Sequence, residues 1–290
     1  MVFFKDDEYL ECLNKCLHLS PDDVEIYKNK SQLLARLGKY QDAYECLNTC
    51  LKLTPNNDQL IYFKANILKH LNKDDEAIEC YNQCLSINSN YIEAYFNKGL
   101  LLLAKSNNRP EEFQNLDDLL DCFSMCQKLN PTCIDAYILK ADLLRRLERE
   151  QEAIIEYNQA INVDSNDYHA YLNKGETLIS LKRYAQAIDC LDVSLHLNPG
   201  EHLAWLLKGK ALFCLKAYAK AIECFEAYLN GATNANDLEK AKAYLLCGQA
   251  FFKNGKFEMA IYYYNKALKL NSNDYLAHMY KVVYLRFRIF

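Results

Sequence analysis

The stretch Val24–Asn57, VEIYKNKSQLLARLGKYQDAYECLNTCLKLTPNN, decides the architecture, because its pattern returns along the rest of the chain. Within it Tyr27, Ser31 and Leu34 share one face of a helix by their spacing of three and four. Gly38 interrupts that face, as a residue just past a helix end does. A second stripe follows through Tyr40, Ala43, Leu47 and Cys50, and Pro55 stops it. Two helices of about fourteen residues, each roughly 20 Å long, are thus expected to pack antiparallel across a short turn. Small residues at Ser31 and Ala43 let the two backbones come close.

Working outward, the Tyr27 position recurs as Ile61, Tyr95, Tyr137, Tyr171, Trp205 and Tyr244, at spacings of 34, 34, 42, 34, 34 and 39. Four residues after each stands a small side chain: Ser31, Ala65, Gly99, Ala141, Gly175, Gly209, Gly248. Three further on stands a large apolar one: Leu34, Leu68, Leu102, Leu144, Leu178, Leu212, Phe251. A fixed short period means stacked units, each covering its neighbour's apolar face, with no single central core.

With its early aromatic, its Gly/Ala and its Leu, and with Ala, an aromatic and Ala in the second helix, the unit resembles the tetratricopeptide repeat. The second helices supply Ala43, Ala77, Leu119, Ala153, Ala187, Ala221 and Ala260, then Leu47, Tyr81, Phe123, Tyr157, Leu191, Phe225 and Tyr264. The closing proline stands at Pro55, Pro131 and Pro199. The resemblance implies an all-α, right-handed α-solenoid over residues 1–290. Its units are 24–57, 58–91, 92–133, 134–167, 168–201, 202–240 and 241–274. An orphan second helix fills 1–23 and a C-terminal first helix fills 275–290.

Two units carry extra residues. The third has eight, around Ser106–Asn115, where Pro110, Glu111 and Glu112 read as a helix start. Its second helix is expected to be about two turns longer than its siblings. The sixth unit has five, within the stretch Asn230–Asn236, with Asp237 expected as the N-cap.

Composition limits the function. The chain has 290 residues, a net charge of −4 and a pI near 5.9, with both signs interspersed, which speaks against a nucleic-acid partner. No apolar run approaches a membrane span and no leader is visible, so the expected location is cytoplasmic and no membrane partner is expected.

Thirteen cysteines raise metal and redox chemistry, but their register points to packing. Cys12, Cys46, Cys80, Cys122, Cys190 and Cys224 share one repeat place, and Cys16, Cys50, Cys84 and Cys126 another, four residues later. Thiols four apart on a helix are about 5–6 Å apart at Cβ, beyond disulfide reach, and no zinc spacing occurs. The cysteines are expected to act as small buried hydrophobes in a reducing compartment. No catalytic motif appears, the six histidines have no matched nucleophile, and no cofactor or metal is expected. Asp164–Asp167 lacks the glycine and closing glutamate of a calcium loop.

In the family, the inner groove is lined by the second, fifth, sixth and ninth places of each first helix, with the twelfth and thirteenth. Carried onto this chain, the groove candidates are Lys28, Asn29, Gln32, Asn66, Asn97, Asp142, Asn173, Glu176, Leu207, Lys210, Leu246 and Gln249. Asn29, Asn97 and Asn173 share one place, where an asparagine can grip a peptide backbone. The family's clamp for chaperone-tail carboxylates is not matched: its register holds Tyr62, Asn66, Asn97, Asp135 and Leu139, without the cations. The apolar back half, Leu206, Leu207, Phe213, Leu245, Leu246 and Phe252, suits an amphipathic helix or equally fills contacts between helices.

The expected function is therefore a non-catalytic adaptor or scaffold holding a peptide or helical segment of other proteins. The alternative is the substrate-recruiting arm of a larger enzyme, such as an O-linked sugar transferase. The apolar C-terminal end, Val282, Val283, Leu285, Phe287, Ile289 and Phe290, suggests self-association through the last helix.

Overall fold

The computed structural model describes residues 3–108, 116–231 and 235–288. Among the described residues all regular structure is helical: α1 (Phe3–Leu19), α2 (Val24–Arg36), α3 (Tyr40–Leu53), α4 (Asp58–His70), α5 (Asp74–Ile87), α6 (Ile92–Asn108), α7 (Leu116–Leu129) and α8 (Ile134–Arg146). There follow α9 (Glu150–Val163), α10 (Tyr168–Ser180), α11 (Tyr184–Leu197), α12 (His202–Cys214), α13 (Tyr218–Gly231), α14 (Asp237–Lys253), α15 (Phe257–Leu270) and α16 (Tyr275–Arg288). The chain divides into two compact bodies, residues 1–136 and 137–290.

In the first body each of α1 to α7 packs on the next. In the second body the same holds from α9 to α16, and α12 also touches both α10 and α14. That added contact is what a stack of helix pairs requires: first helices lie beside first helices, and second helices form the other layer.

Three local devices repeat. First helices open on side-chain caps: Asp23 accepts from the backbone of Glu25 and Ile26, Asn57 from Leu60, and Asp167 from His169 and Ala170. Six first helices (α2, α4, α8, α10, α12 and α14) are each followed by a residue with positive φ: Gly38, Asn72, Glu148, Lys182, Lys216 and Gly255. Only two of these six are glycine, so the repeat geometry imposes the left-handed turn on residues that resist it. The third device is close approach within a pair. A Cβ added to Gly209 would stand 2.6 Å from the Phe225 ring, so only hydrogen fits there.

The extra residues can be followed only where they are described. α6 runs 17 residues against 13 in α2, α4, α8, α10 and α12, so the described added length lies in a first helix. The described part of α7 has 14 residues, as α3 and α5 do, and the helix start expected at Pro110–Glu112 lies outside the described residues. At the sixth unit the cap is Asn236 rather than Asp237. Asn236 accepts from the Glu239 amide and Glu239 bonds back to the Asn236 amide, a complete capping box.

Candidate partner-binding faces

The first helices carry a polar network that joins one unit to the next. In the first body the Tyr81 hydroxyl donates to Asn66 Oδ1 at 2.5 Å. Asn97, from the following unit, donates its amide to the Tyr62 hydroxyl at 2.6 Å and to Asn66 Oδ1 at 3.4 Å. The second body repeats the arrangement at the same repeat places. Tyr157 donates to Asp142, Asn173 donates to Asp142 Oδ1 at 3.2 Å, and Arg145 bonds Glu176 at 2.6 Å. Burial raises the Asp142 carboxyl above its ordinary range, partly opposed by the hydrogen bond from Tyr157 and the Arg145 charge.

A third copy is unfinished. Tyr264 stands where Tyr81 and Tyr157 stand, fully buried, and its hydroxyl has no hydrogen-bond partner among the described residues. The place of Asn66 and Asp142 is held there by Gln249, and that of Asn97 and Asn173 by Tyr280, whose ring stacks on Tyr264 at 5.7 Å.

The groove candidates thus divide. Asn66, Asn97, Asp142, Asn173 and Glu176 are half-buried and engaged between neighbouring helices. Lys28 pairs with Glu25 at 3.2 Å, Asn29 is half-buried, and Gln32 is exposed. Leu207 is 4% exposed, in the core with Leu172, Leu191 and Ala204, and so does not offer its side chain to a partner. Leu246, Lys210 and Gln249 are half-buried on the α12 and α14 surfaces. The expectation of self-association through the tail falls largely on side chains outside the described ones, although Val282 is exposed.

The two cysteine registers have distinct roles, one of which the sequence reading missed. Cys50, Cys84 and Cys126 reach the carbonyl oxygens of Val24, Asp58 and Ile92, at 3.6, 3.4 and 3.8 Å. Each ties the second helix to the opening residue of its own first helix. Ser194 makes the equivalent bond to Tyr168 at 3.1 Å. Burial pushes the Cys84 thiol up to about 11 and Cys126 to about 12, so both stay protonated at neutral pH.

The other register faces a column of lysines at the seventh place: Lys30, Lys64, Lys98, Lys174 and Lys208 oppose Cys46, Cys80, Cys122, Cys190 and Cys224. These ammonium groups draw the thiols down, but desolvation outweighs them. In the fourth unit the column continues as Lys140 paired with Glu156 at 2.9 Å. Reading the sequence by repeat column would have exposed this. Among the described residues no cluster of His, Cys, Asp and Glu could hold a metal ion. Nor is any helix among them long and apolar enough to cross a membrane.

Models of the tetratricopeptide repeat match residues 24–57, 65–106, 134–167, 172–237 and 241–274. The chain belongs to the tetratricopeptide repeat family. Among solved structures, this repeat protein is similar to the C-terminal part of a TPR repeat-containing protein from Cytophaga hutchinsonii. The TM-score is 0.71 at 16% identity, over 87% of this chain and 98% of that one. A tetratricopeptide repeat protein from Parabacteroides merdae aligns with TM-score 0.59 at 17% identity, over 90% and 98%. MamA from Desulfovibrio magneticus aligns with TM-score 0.55 at 18% identity, over 63% and 97%. At such identities the likeness is one of fold. No curated protein sequence matches this repeat protein significantly.

Proposed function

We propose that this chain is a non-catalytic scaffold that holds a peptide or helical segment of another protein against its first helices. The observation carrying this reading is the contact of α12 with both α10 and α14, which lines first helices up as one surface in the second body. At their fifth, sixth and ninth places Asn173, Glu176, Leu206, Lys210, Leu246 and Gln249 are half-buried, a mixture of polar and apolar side chains, while Leu172, Leu207 and Leu245 lie in the core. Membership of a repeat family built for protein contact supports the reading, as does the general ability of such stacks to hold extended partners.

Site-specific photo-crosslinking tests it. A crosslinker placed at Gln32, Lys210 or Gln249 is expected to trap protein partners, whereas one at Glu79 or Asp189, on second helices, is not. Crosslinks arising only from the second-helix positions would overturn the proposal.

A further inference from the structure

We infer that the first-helix face of the last two full units, formed by α12 and α14, takes an acidic amphipathic helix from another protein. This rests on the scaffold reading above and names the chemistry of its partner. The face is framed by six side chains: Leu206, Lys210 and Phe213 on α12, and Lys242, Leu246 and Lys253 on α14. On each helix they recur at steps of three, four or seven, and so form one stripe. α12 touches α14, so the stripes run side by side.

The charge on these stripes has one sign. α12 contains no acidic residue, and α14 has only Asp237 and Glu239, both in its first turn. Glu239 is occupied by its capping box. The neighbouring inner carboxylate, Glu176 on α10, is taken by Arg145. Lys242 and Lys253 are exposed, Lys210 is half-buried, and none of the three forms a salt bridge with a described residue. By contrast Lys208, on another face of α12, is held by Asp192 and lies over the Trp205 ring at 5.4 Å. Unpaired cations on an apolar strip, in a chain of net charge −4, select an anionic partner locally.

The apolar part selects a helix. Leu206 and Leu246 occupy neighbouring first helices, whose axes in such packing stand about 8–10 Å apart. Two apolar residues seven apart on a partner helix are separated by about 10.5 Å. Such a partner crossing α12 and α14 sets one anchor on each leucine while its flanking Glu or Asp residues meet Lys210, Lys242 and Lys253.

The test uses the full chain and two fluorescein-labelled synthetic helical peptides in an anisotropy titration. Both carry leucines at i, i+3 and i+7, one with Glu and the other with Lys at the flanking positions. The Glu peptide is expected to bind at least tenfold more tightly than the Lys peptide, and K210E/K242E/K253E is expected to reverse that order. Circular dichroism checks that the triple variant keeps its helices. Equal binding of the two peptides, or a Glu peptide indifferent to the charge reversal, would overturn the assigned chemistry. If Leu246→Ser still abolished binding in that case, the scaffold reading would stand while this inference fell. If neither peptide bound, or if a single-stranded oligonucleotide displaced the Glu peptide as well as unlabelled peptide does, the inference would fall too.

Discussion

Removing one hydroxyl from the same repeat place in two units should have opposite consequences. Tyr81 and Tyr264 are both fully buried, and the two positions differ in what their hydroxyls meet. Tyr81 donates to Asn66 at 2.5 Å, and Asn66 also receives Asn97. Tyr81→Phe therefore deletes a bond and strips a half-buried amide of one partner, a cost of about 1–2 kcal/mol. Tyr264 meets no acceptor among the described residues, so Tyr264→Phe removes a desolvated donor that had lost its water for nothing in return. Its expected effect is neutral to a gain of about 1 kcal/mol. For a chain of this size each kcal/mol moves the melting temperature by only about 2 °C, so thermal scans alone are coarse. Hydrogen exchange is the sharper assay, since stacked units open locally. Tyr81→Phe should speed exchange in α4, α5 and α6, and Tyr264→Phe should leave α14 and α15 unchanged or slower. Equal losses at both sites would mean that the Tyr264 hydroxyl is as well satisfied as that of Tyr81, and no loss at Tyr81 would mean that the hydroxyl network contributes nothing.

Three further outcomes follow from the repeat geometry. Cys84→Ser should keep the bond to the Asp58 carbonyl, as Ser194 does in its own unit, while Cys84→Ala should cost about 0.5–1 kcal/mol; urea midpoints in which alanine equals the parent would refute the tie. Lys182→Gly should stabilise the chain by about 0.5–1 kcal/mol, because φ of 60° strains a side chain that glycine lacks; a lower melting temperature would count against it. Asp142→Asn should flatten the acid limb of the stability curve. The folded carboxyl lies above the ordinary 3.8, so the folded chain holds its proton longer and loses stability as pH climbs from there through the folded value. Asparagine, as at Asn66, accepts the same two donors without that loss, and urea titrations across pH in which the variant tracks the parent would contradict the assignment.

What could be read without coordinates depended on whether a position repeats. The helix pairs were legible because Tyr27, Ser31 and Leu34 return at one period, and periodic burial is what such stacking requires. The left-handed turns were legible at Gly38, whereas Glu148 and Lys182 adopt the same φ with no sequence signal, since the geometry overrides their preference. The proposed binding face was legible only in part, because helical register fixes direction without deciding depth. Leu206 and Leu207 are adjacent, yet packing against Leu172 and Leu191 takes Leu207 into the core while Leu206 stays half-exposed. The same limit applies to the asparagines. A peptide-gripping role for Asn97 and Asn173 requires a free amide, and both amides are committed to the neighbouring first helix. A partner seeking a backbone donor at that place would have to displace an intact bond, so the proposed recognition is assigned instead to side chains without a salt bridge among the described residues. On α12 and α14 those are lysines.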